Sequence, residues 1–207
     1  SCCSLALENS PWLIDEILTR NHEISAHGVK WISHAYLSKE EEKQIINDCY
    51  SSILKLSGHP PVGWHTKSST SPFTRDLLLE HGGFTYDSNA YNDDVPYVLK
   101  KNDQKLVIIP YSFDTNDMRY DGNNGFVRGD DFNIYCKESF NQLLSETDDG
   151  SLRMMSIGVH PRIIGRPGRI KGLEDFIKHI KTYQNVWIPT RIDIAKHCLE
   201  KDLFNFF

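Results

Sequence analysis

The chain has 207 residues, of which 39% are hydrophobic and 25% charged, and its formal net charge at pH 7 is −5. This length and composition predict one globular domain over residues 1–207 with a sizeable apolar core. The negative charge argues against a sequence-independent nucleic-acid binder, because such a protein needs a surplus of Lys and Arg on one face.

The compartment is predicted from what the sequence lacks. Its apolar runs fall short of the ~20 residues that span a bilayer, and its first residues do not form a secretory signal. Its five cysteines are odd in number and scattered, without a Cys-x-x-Cys pair. This usage is typical of reduced thiols. We therefore expect a cytoplasmic protein with neither a membrane nor a nucleic-acid partner, and a homo-oligomer stays open.

Capping residues and helix-stop residues predict six helices. The clearest start is the capping box Ser38-x-x-Glu41, and the clearest stops are Gly58 and the pair Gly82-Gly83. In chain order the predicted helices run from Ser10-Pro11 to Asn21, Ser38 to Gly58, Ser71-Pro72 to Gly82-Gly83, Asp130 to Glu146, Ile170 to Tyr183, and Arg191 to Leu199.

Short apolar runs between these helices predict strands. They are Glu23–Ala26, Val62–Trp64, Phe84–Asp87, Leu106–Ile109, Met155–His160 and Val186–Ile188, with a strand remnant at Cys2–Leu5. Alternation of strands and helices predicts an α/β fold with parallel pairing. The stretch Ser88–Lys105, rich in Asn and Asp, is predicted to be a loop. Six strands are few for a closed barrel, so either the sheet is open and covered or the chain lacks its beginning.

The run from Met155 to Pro167 is the strongest candidate site. It reads as a strand that ends on His160, followed by a loop with Arg162 and Arg166. Ligands of parallel α/β folds bind beyond the carboxyl ends of strands. An imidazole there can protonate a leaving nitrogen, and guanidinium groups can hold a carboxylate or an amide-like plane. A buried histidine with surface arginines is the plain alternative.

Other strand ends carry weaker candidates. His27 ends one predicted strand, and a structural histidine there is as good an interpretation as a functional one. Trp64 could wall a pocket and Lys67 could hold an anionic group, although a core tryptophan with a solvated lysine is the simpler interpretation. Asp114 or Asp117 could orient an imidazole, but Asx-rich turns also occur for backbone reasons alone.

Motifs in order along almost the whole chain resemble the cofactor-independent allantoinases, a branch of the NodB-type polysaccharide deacetylase superfamily. The matching segments are Leu5-Ala6-Leu7-Glu8-Asn9-x-Pro11, His22-Glu23-Ile24-x-x-His27-Gly28-x-x-Trp31-Ile32, Gly63-Trp64-x-Thr66, Glu80-x-Gly82-Gly83-Phe84-x-Tyr86-Asp87-Ser88, Tyr91-x-Asp93-Asp94-x-Pro96-Tyr97, Asp114-Thr115-Asn116-Asp117-Met118-Arg119, Gly129-Asp130-Asp131-Phe132, and Ser156-Ile157-Gly158-x-His160-x-Arg162-x-Ile164-Gly165-Arg166-Pro167.

The resemblance implies a distorted (β/α) barrel of the NodB type, N-terminally incomplete here, and hydrolysis of a non-peptide C–N bond. The implied substrate is allantoin, whose ring opens to allantoate. The family's catalytic-aspartate strand would lie upstream of Leu5, so we expect the catalytic base to lie outside this chain. Metal-dependent relatives use a histidine pair at i and i+4. Here the second position is Trp31, so we expect no metal cofactor, with zinc as the alternative.

The resemblance also implies residue roles for a small, allantoin-like substrate. His160 would be the general acid, and Asp114 would orient it or bind the substrate. His27, Trp64, Lys67, Arg162 and Arg166 would bind the substrate. Lys67 departs from the family, which has arginine there, and so loses the planar fork.

Two rival interpretations stay open at this point. One is a polysaccharide or chitin N-deacetylase-like enzyme with a rebuilt metal site. The other is a catalytically inactive, truncated paralogue that acts as a binding or assembly subunit.

Overall fold

The computed structural model describes residues 1–122 and 125–201. The chain divides into two compact units. The first unit comprises Ser1–Ala90, Pro96–Ile109 and Pro189–Phe207, and the second comprises Tyr91–Val95 and Pro110–Ile188. The single domain over residues 1–207 stays a prediction.

The helices of the described residues are α1 (Ser4–Asn9), α2 (Trp12–Thr19), α3 (Lys39–Ser57), α4 (Thr74–His81), α5 (Gly129–Ser145), α6 (Pro161–Ile164), α7 (Pro167–Ile180) and α8 (Arg191–Glu200). A 3-10 helix covers Asp117–Asp121. The strands are β1 (Gly63–Trp64), β2 (Tyr86–Asp87), β3 (Tyr97–Lys101) and β4 (Gln104–Ile108).

The four strands form one sheet in the first unit, in the order β1-β2-β4-β3. The pairs β1–β2 and β2–β4 are parallel, as the alternation of strands and helices predicts, whereas β3 and β4 are antiparallel. Single parallel bridges join Cys2 to Ala26 and Ala26 to Trp64, so the sheet continues beyond β1. The predicted α/β class is confirmed, with a mixed sheet.

The loop predicted over Ser88–Lys105 is wrong in its second half. Strand β3 occupies Tyr97–Lys101 and turns into β4 through Asn102 and Asp103. Both turn residues have positive φ, 48° and 62°. Two consecutive left-handed residues, drawn from Asn and Asp, form the tight turn that suits a two-residue hairpin. The polar composition that suggested a loop therefore belongs partly to a hairpin turn.

Three other strand predictions need correction. Rather than a strand, the run Glu23–Ala26 contributes one bridging residue, Ala26, and the run Met155–His160 contributes one, Gly158. Val186–Ile188 is not a strand, and Trp187 and Ile188 keep 60% and 59% of their surface exposed. At Cys2–Leu5 the chain makes one bridge and then enters helix α1.

The predicted helix signals are confirmed at both ends of α3. The Ser38 hydroxyl accepts the Glu41 backbone N–H at 3.3 Å, and the Glu41 carboxylate accepts the Ser38 backbone N–H at 2.9 Å. Gly58 ends the helix with φ 72°, a left-handed conformation that glycine adopts without a Cβ penalty. This reciprocal cap fixes where the chain turns into α3.

Each unit has its own apolar core. The first is built from 15 buried residues, including Trp64, Leu78 and Ile108. The second includes Phe132, Phe140 and Phe176. In the second unit α5 and α7 approach so closely that a Cβ at Gly172 would collide with the backbone carbonyl of Gly129. Across residues 1–122 and 125–201 we find no helix with the length and apolarity needed to cross a membrane.

Candidate active site

At one edge of the first unit's sheet, side chains of adjacent strand ends bond to one another's main chain. Nδ1 of His27 contacts the carbonyl oxygen of His65, and Nδ1 of His65 lies 2.8 Å from the carbonyl oxygen of Ser88. The Ser88 hydroxyl accepts a hydrogen bond from Nη1 of Arg191 at 3.0 Å. We call these four residues the strand-end group. His65 follows β1, Ser88 follows β2, and His27 follows the bridging residue Ala26. Arg191 contacts Ser88 from helix α8 of the same unit.

The two imidazoles of the strand-end group are stacked. Their ring centroids lie 5.2 Å apart, and their planes differ by 16°. Burial, followed by the charges of His27 and Arg191, lowers the pKa of His65 to about 3, although its bond to the Ser88 carbonyl opposes this shift. His65 is therefore neutral near pH 7.

A buried polar network fixes the strand ends next to this group. The side-chain oxygen of Asn89 accepts hydrogen bonds from the backbone N–H and hydroxyl of Thr66, at 2.8 and 2.7 Å. The amide of Asn89 in turn donates to Asp87, which also accepts from Nε of Arg75 at 3.1 Å. Complete burial raises the pKa of Asp87, and the Arg75 guanidinium only partly offsets it. The network holds the ends of β1 and β2 in register.

The structure places Trp64 and Lys67 differently from each other. Trp64 is fully buried and makes an edge contact with Phe84 in the first unit's core, as the simpler interpretation of a core tryptophan had it. Lys67 lies nearer the surface, with Nζ 4.3 Å from the ring centroid of Trp31. The aromatic face of Trp31 therefore holds a cation.

In the second unit, Asp117 holds His160. Oδ1 of Asp117 accepts from Nδ1 of His160 at 2.6 Å. Its other oxygen accepts the backbone N–H of His160 at 2.7 Å and that of Ile164 at 3.1 Å. The Asp117 side chain is completely buried, whereas that of His160 is 21% exposed. The carboxylate therefore fixes both the ring and the turn into α6.

The remaining predicted site residues of the second unit lie on its surface. Asp114 is exposed, and its carbonyl oxygen accepts from Nη1 of Arg119 at 3.0 Å. The contact with the His160 imidazole that the sequence suggested for Asp114 is made by Asp117. Arg162 is exposed on α6, and Arg166 is exposed at the N-cap of α7. Whether these residues bind a substrate stays a prediction.

A second histidine–carboxylate pair was missed by sequence reasoning. His34, which looks like a surface residue in the sequence, is 1% exposed, and Nδ1 lies 2.9 Å from Oε1 of Glu42. Glu42 also accepts from the hydroxyls of Ser71 and Thr74. Burial tends to raise the pKa of Glu42, but these three hydrogen bonds lower it below its ordinary value. The sequence shows that Glu42 lies four residues before Ile46 and so shares the buried face of α3, but it does not show that His34 is its partner.

Comparison with known proteins identifies the relatives. No model of a protein family matches the chain. A protein of Schizosaccharomyces pombe, whose provisional name is polysaccharide deacetylase, is 33% identical over 92% of this chain and 64% of its own length. A peptidoglycan deacetylase of Helicobacter pylori is 25% identical over 90% of this chain and 73% of its own.

Two solved structures are closer in identity. One, from Pseudomonas aeruginosa PAO1, is named as a probable polysaccharide deacetylase and matches with 37% identity and a TM-score of 0.93, over 98% of this chain and 68% of its own. The PuuE allantoinase matches with 37% identity and a TM-score of 0.92, over 98% of this chain and 67% of its own. The chain thus spans 64% to 68% of the length of these three relatives. On this evidence the chain belongs to the polysaccharide deacetylase superfamily.

Proposed function

We propose that this chain carries part of the active site of a hydrolase that cleaves a non-peptide C–N bond, with allantoin as the substrate. The observation that carries the proposal is the Asp117–His160 pair, a buried carboxylate that holds a partly exposed imidazole at the end of a strand-like segment. The 37% identity with the PuuE allantoinase supports allantoin as the substrate.

His160 acts as the general acid in this proposal. Its Nδ1–H donates to Asp117, so Nε2 is the nitrogen that exchanges a proton with a ligand. Water, which gives up a proton to a base, adds to the hydantoin carbonyl carbon and forms a tetrahedral intermediate, and the C–N bond then breaks readily only when the departing nitrogen gains a proton. A positioned imidazolium can donate that proton from Nε2, a contribution of about 10²- to 10⁴-fold in rate.

Asp117 is a positioning residue in this mechanism. It accepts two backbone N–H groups as well as the imidazole, so its carboxylate cannot rotate away without losing hydrogen bonds. A ring held in advance in its working orientation needs no reorganisation during the reaction. Arg162 and Arg166 would recognise the carbonyl oxygens of the ureide through their planar guanidinium groups.

The residues at the position of the superfamily's metal site do not fit a metal ion. Trp31 offers no lone pair for coordination, and the ammonium group of Lys67 lies 4.3 Å from its ring centroid. Within residues 1–122 and 125–201, no cluster of three or more His, Cys, Asp or Glu side chains has a metal-binding arrangement. We therefore propose no step through a metal and expect a cofactor-independent reaction.

The test is an allantoin ring-opening assay that measures allantoate with an extended protein, in which this chain is joined to a segment that supplies the expected catalytic base, and with His160→Ala in the same protein. We expect turnover by the extended protein and a loss of at least about 100-fold in the variant. A chelator should leave the rate unchanged. Inhibition by the chelator, with activity restored by added zinc, would favour the metal-dependent alternative. Activity that survives His160→Ala would refute the role of His160. A folded extended protein that does not open allantoin would contradict the proposed reaction.

A polysaccharide N-deacetylase is the second candidate. The names of the fission-yeast, Helicobacter pylori and Pseudomonas aeruginosa relatives favour it. The same general acid would serve, because deacetylation also releases a nitrogen from a tetrahedral intermediate. Acetate release from chitin oligosaccharides separates the two candidates. Release of acetate from chitin oligosaccharides, without formation of allantoate from allantoin, would show that the substrate is a sugar amide and not allantoin.

A further inference from the structure

Asn116, the residue before the buried carboxylate of Asp117, is held at both polar atoms of its side chain. Its Oδ1 accepts the backbone N–H of Met118 at 2.8 Å, and its Nδ2 donates to the hydroxyl oxygen of Tyr111 at 2.5 Å. Asn116 is 2% exposed and lies at the N-cap of the 3-10 helix. An N-cap needs only an acceptor, which serine or aspartate also supplies. The bond to Tyr111 is therefore more than capping requires.

The main chain around Asn116 is tied to the segment that carries His160. The backbone N–H of Asp117 donates to the Gly158 carbonyl at 2.9 Å, and that of Gly158 donates to the Thr115 carbonyl at 3.1 Å. These two bonds form the parallel bridge between Asn116 and Gly158. They bring Asp117 beside the chain that its carboxylate holds, because both oxygens of that carboxylate bond to His160.

Gly158 leaves the space in which Tyr111 meets Asn116. A Cβ at this position would overlap both the Tyr111 hydroxyl and the Asn116 amide nitrogen. The bond between these two side chains therefore lies directly against the bridge, two residues before His160. A side chain at position 158 and the bond exclude each other, so the glycine and the bond form one arrangement.

We propose that Asn116 is a positioning residue, which keeps the Asp117 carboxylate directed at the His160 imidazole. It acts through its bond to the Tyr111 hydroxyl, which restrains the chain where the 3-10 helix begins. Without that bond the carboxylate spends less time in contact with Nδ1 of His160. A less well oriented general acid lowers kcat and changes substrate binding little. The inference rests on the proposed function for its effect on turnover, but not for its effect on the Asp117–His160 bond.

Two variants break the bond from its two sides. Tyr111→Phe keeps the aromatic ring but loses the hydroxyl that accepts. Asn116→Ser keeps an oxygen that can cap Met118 but loses the amide that donates to Tyr111. Thr190→Ala is the matched control, because it removes a cap in the other unit. There the Thr190 hydroxyl accepts the backbone N–H of Asp193 at 3.3 Å at the start of α8.

The first measurement is the Nδ1–H signal of His160 in ¹H–¹⁵N spectra of the ¹⁵N-histidine-labelled chain, assigned by its loss in His160→Ala. A proton in a short bond to a carboxylate resonates far downfield. We expect this signal in the wild type and in Thr190→Ala, and a broadened or upfield-shifted signal in Tyr111→Phe and Asn116→Ser. An unchanged signal in either variant of the bond, when that variant is folded, would overturn the inference, so one folded variant is enough.

Turnover gives the second measurement, in the extended protein that carries the catalytic base. We expect kcat for allantoin to fall about fivefold in Asn116→Ser, the effect of one hydrogen bond, with little change in KM. The same substitution in an Asp117→Asn background should have little further effect, because Asn116 acts through Asp117. Losses that add in the double variant would show that Asn116 acts independently of Asp117 and would overturn the positioning role.

The two measurements separate this inference from the proposed function. If the His160 signal changes in Tyr111→Phe and Asn116→Ser but not in Thr190→Ala, the positioning of Asp117 is supported even when the extended protein does not open allantoin. The proposed reaction would then fail, and the inference about the Asp117–His160 bond would stand.

Discussion

Among the described residues, each unit of the molecule has a buried carboxylate bonded to Nδ1 of a histidine, and the two pairs differ in exposure. In the second unit, Asp117 is completely buried and its partner His160 is 21% exposed. In the first unit, Glu42 is equally buried, but its partner His34 is only 1% exposed. The same two functional groups thus form a pair that a ligand can reach and a pair that it cannot.

The other donors to each carboxylate explain the difference. Asp117 accepts the backbone N–H groups of His160, which precedes α6, and of Ile164, its last residue, so it positions the main chain that carries His160. Glu42 accepts the hydroxyls of Ser71 and Thr74, so it joins α3 to the start of α4. A histidine–carboxylate contact is therefore evidence for chemistry only where the second ring nitrogen can be reached.

The largest expected effect is on activity, in Asp117→Asn. The amide would present an NH₂ group either to the backbone N–H groups or to Nδ1 of His160, and the latter forces the wrong tautomer. We expect a loss of about 10²- to 10⁴-fold in kcat for allantoin, measured in the extended protein that carries the catalytic base, with a smaller change in Tm. Steady-state kinetics and thermal unfolding measure the two effects. A variant with normal kcat would remove Asp117 from the mechanism.

The corresponding change in the other pair should affect stability. Glu42→Gln removes the carboxylate that accepts from His34, Ser71 and Thr74. Breaking a buried charged pair lowers the free energy of unfolding by about 3 kcal/mol or more. We expect this decrease in the free energy of unfolding by urea denaturation. Glu40→Gln, at an exposed position on the same helix, is the matched control, with an effect below about 0.5 kcal/mol. Equal stabilities of the two variants would contradict a structural role for Glu42.

Stability at low pH gives a third, smaller effect. The pKa of Glu42 is lowered in the folded state, so its contribution is fully present above the unfolded value of about 4.5 and is lost as pH falls through the folded pKa. The raised pKa of Asp87 has the opposite sign, because its ionisation disfavours the folded state as pH rises above about 3.8.

We therefore expect the free energy of unfolding to fall less steeply with acid in Glu42→Gln than in the wild type. Denaturation curves at several pH values between about 6 and 3 measure this slope. If plots of the free energy of unfolding against pH are parallel for the two proteins, the pKa of Glu42 is not lowered in the folded state.

Most of the helices could be predicted because their ends are local. The capping box at Ser38 and the left-handed glycines Gly58 and Gly82 depend on residues a few positions apart. Strand β3 was missed because its turn, Asn102-Asp103, and its exposed lysines have the composition of a loop. Val186–Ile188 was mistaken for a strand because a short apolar run does not show whether a neighbouring strand is present to form backbone hydrogen bonds with it.

The candidate site was predicted in part. His160 at the end of a strand-like segment could be recognised from the chain alone, but the choice between Asp114 and Asp117 could not. The backbone decides it, because the 3-10 helix begins at Asp117 and the parallel bridge pairs Asn116 with Gly158. His34 and Glu42 are eight residues apart, and only the turn into α3 brings them together. The pairing therefore depends on the path of this turn, which the sequence pattern does not show.

The smallest expected effect on stability concerns Lys67, whose Nζ lies over the ring of Trp31. Trp31 is 37% exposed, and a cation–π contact at an exposed site contributes about 0.5–1 kcal/mol. Lys67→Gln should lower the free energy of unfolding by no more than this, and Lys67→Arg should restore it. If Lys67 holds a polar group of the substrate, KM for allantoin rises in Lys67→Gln while kcat changes little. A destabilisation as large as that of Glu42→Gln would instead make Lys67 a structural residue. The solvent exposure of a contact would then not distinguish a structural pair, such as His34–Glu42, from a surface contact, such as Lys67–Trp31.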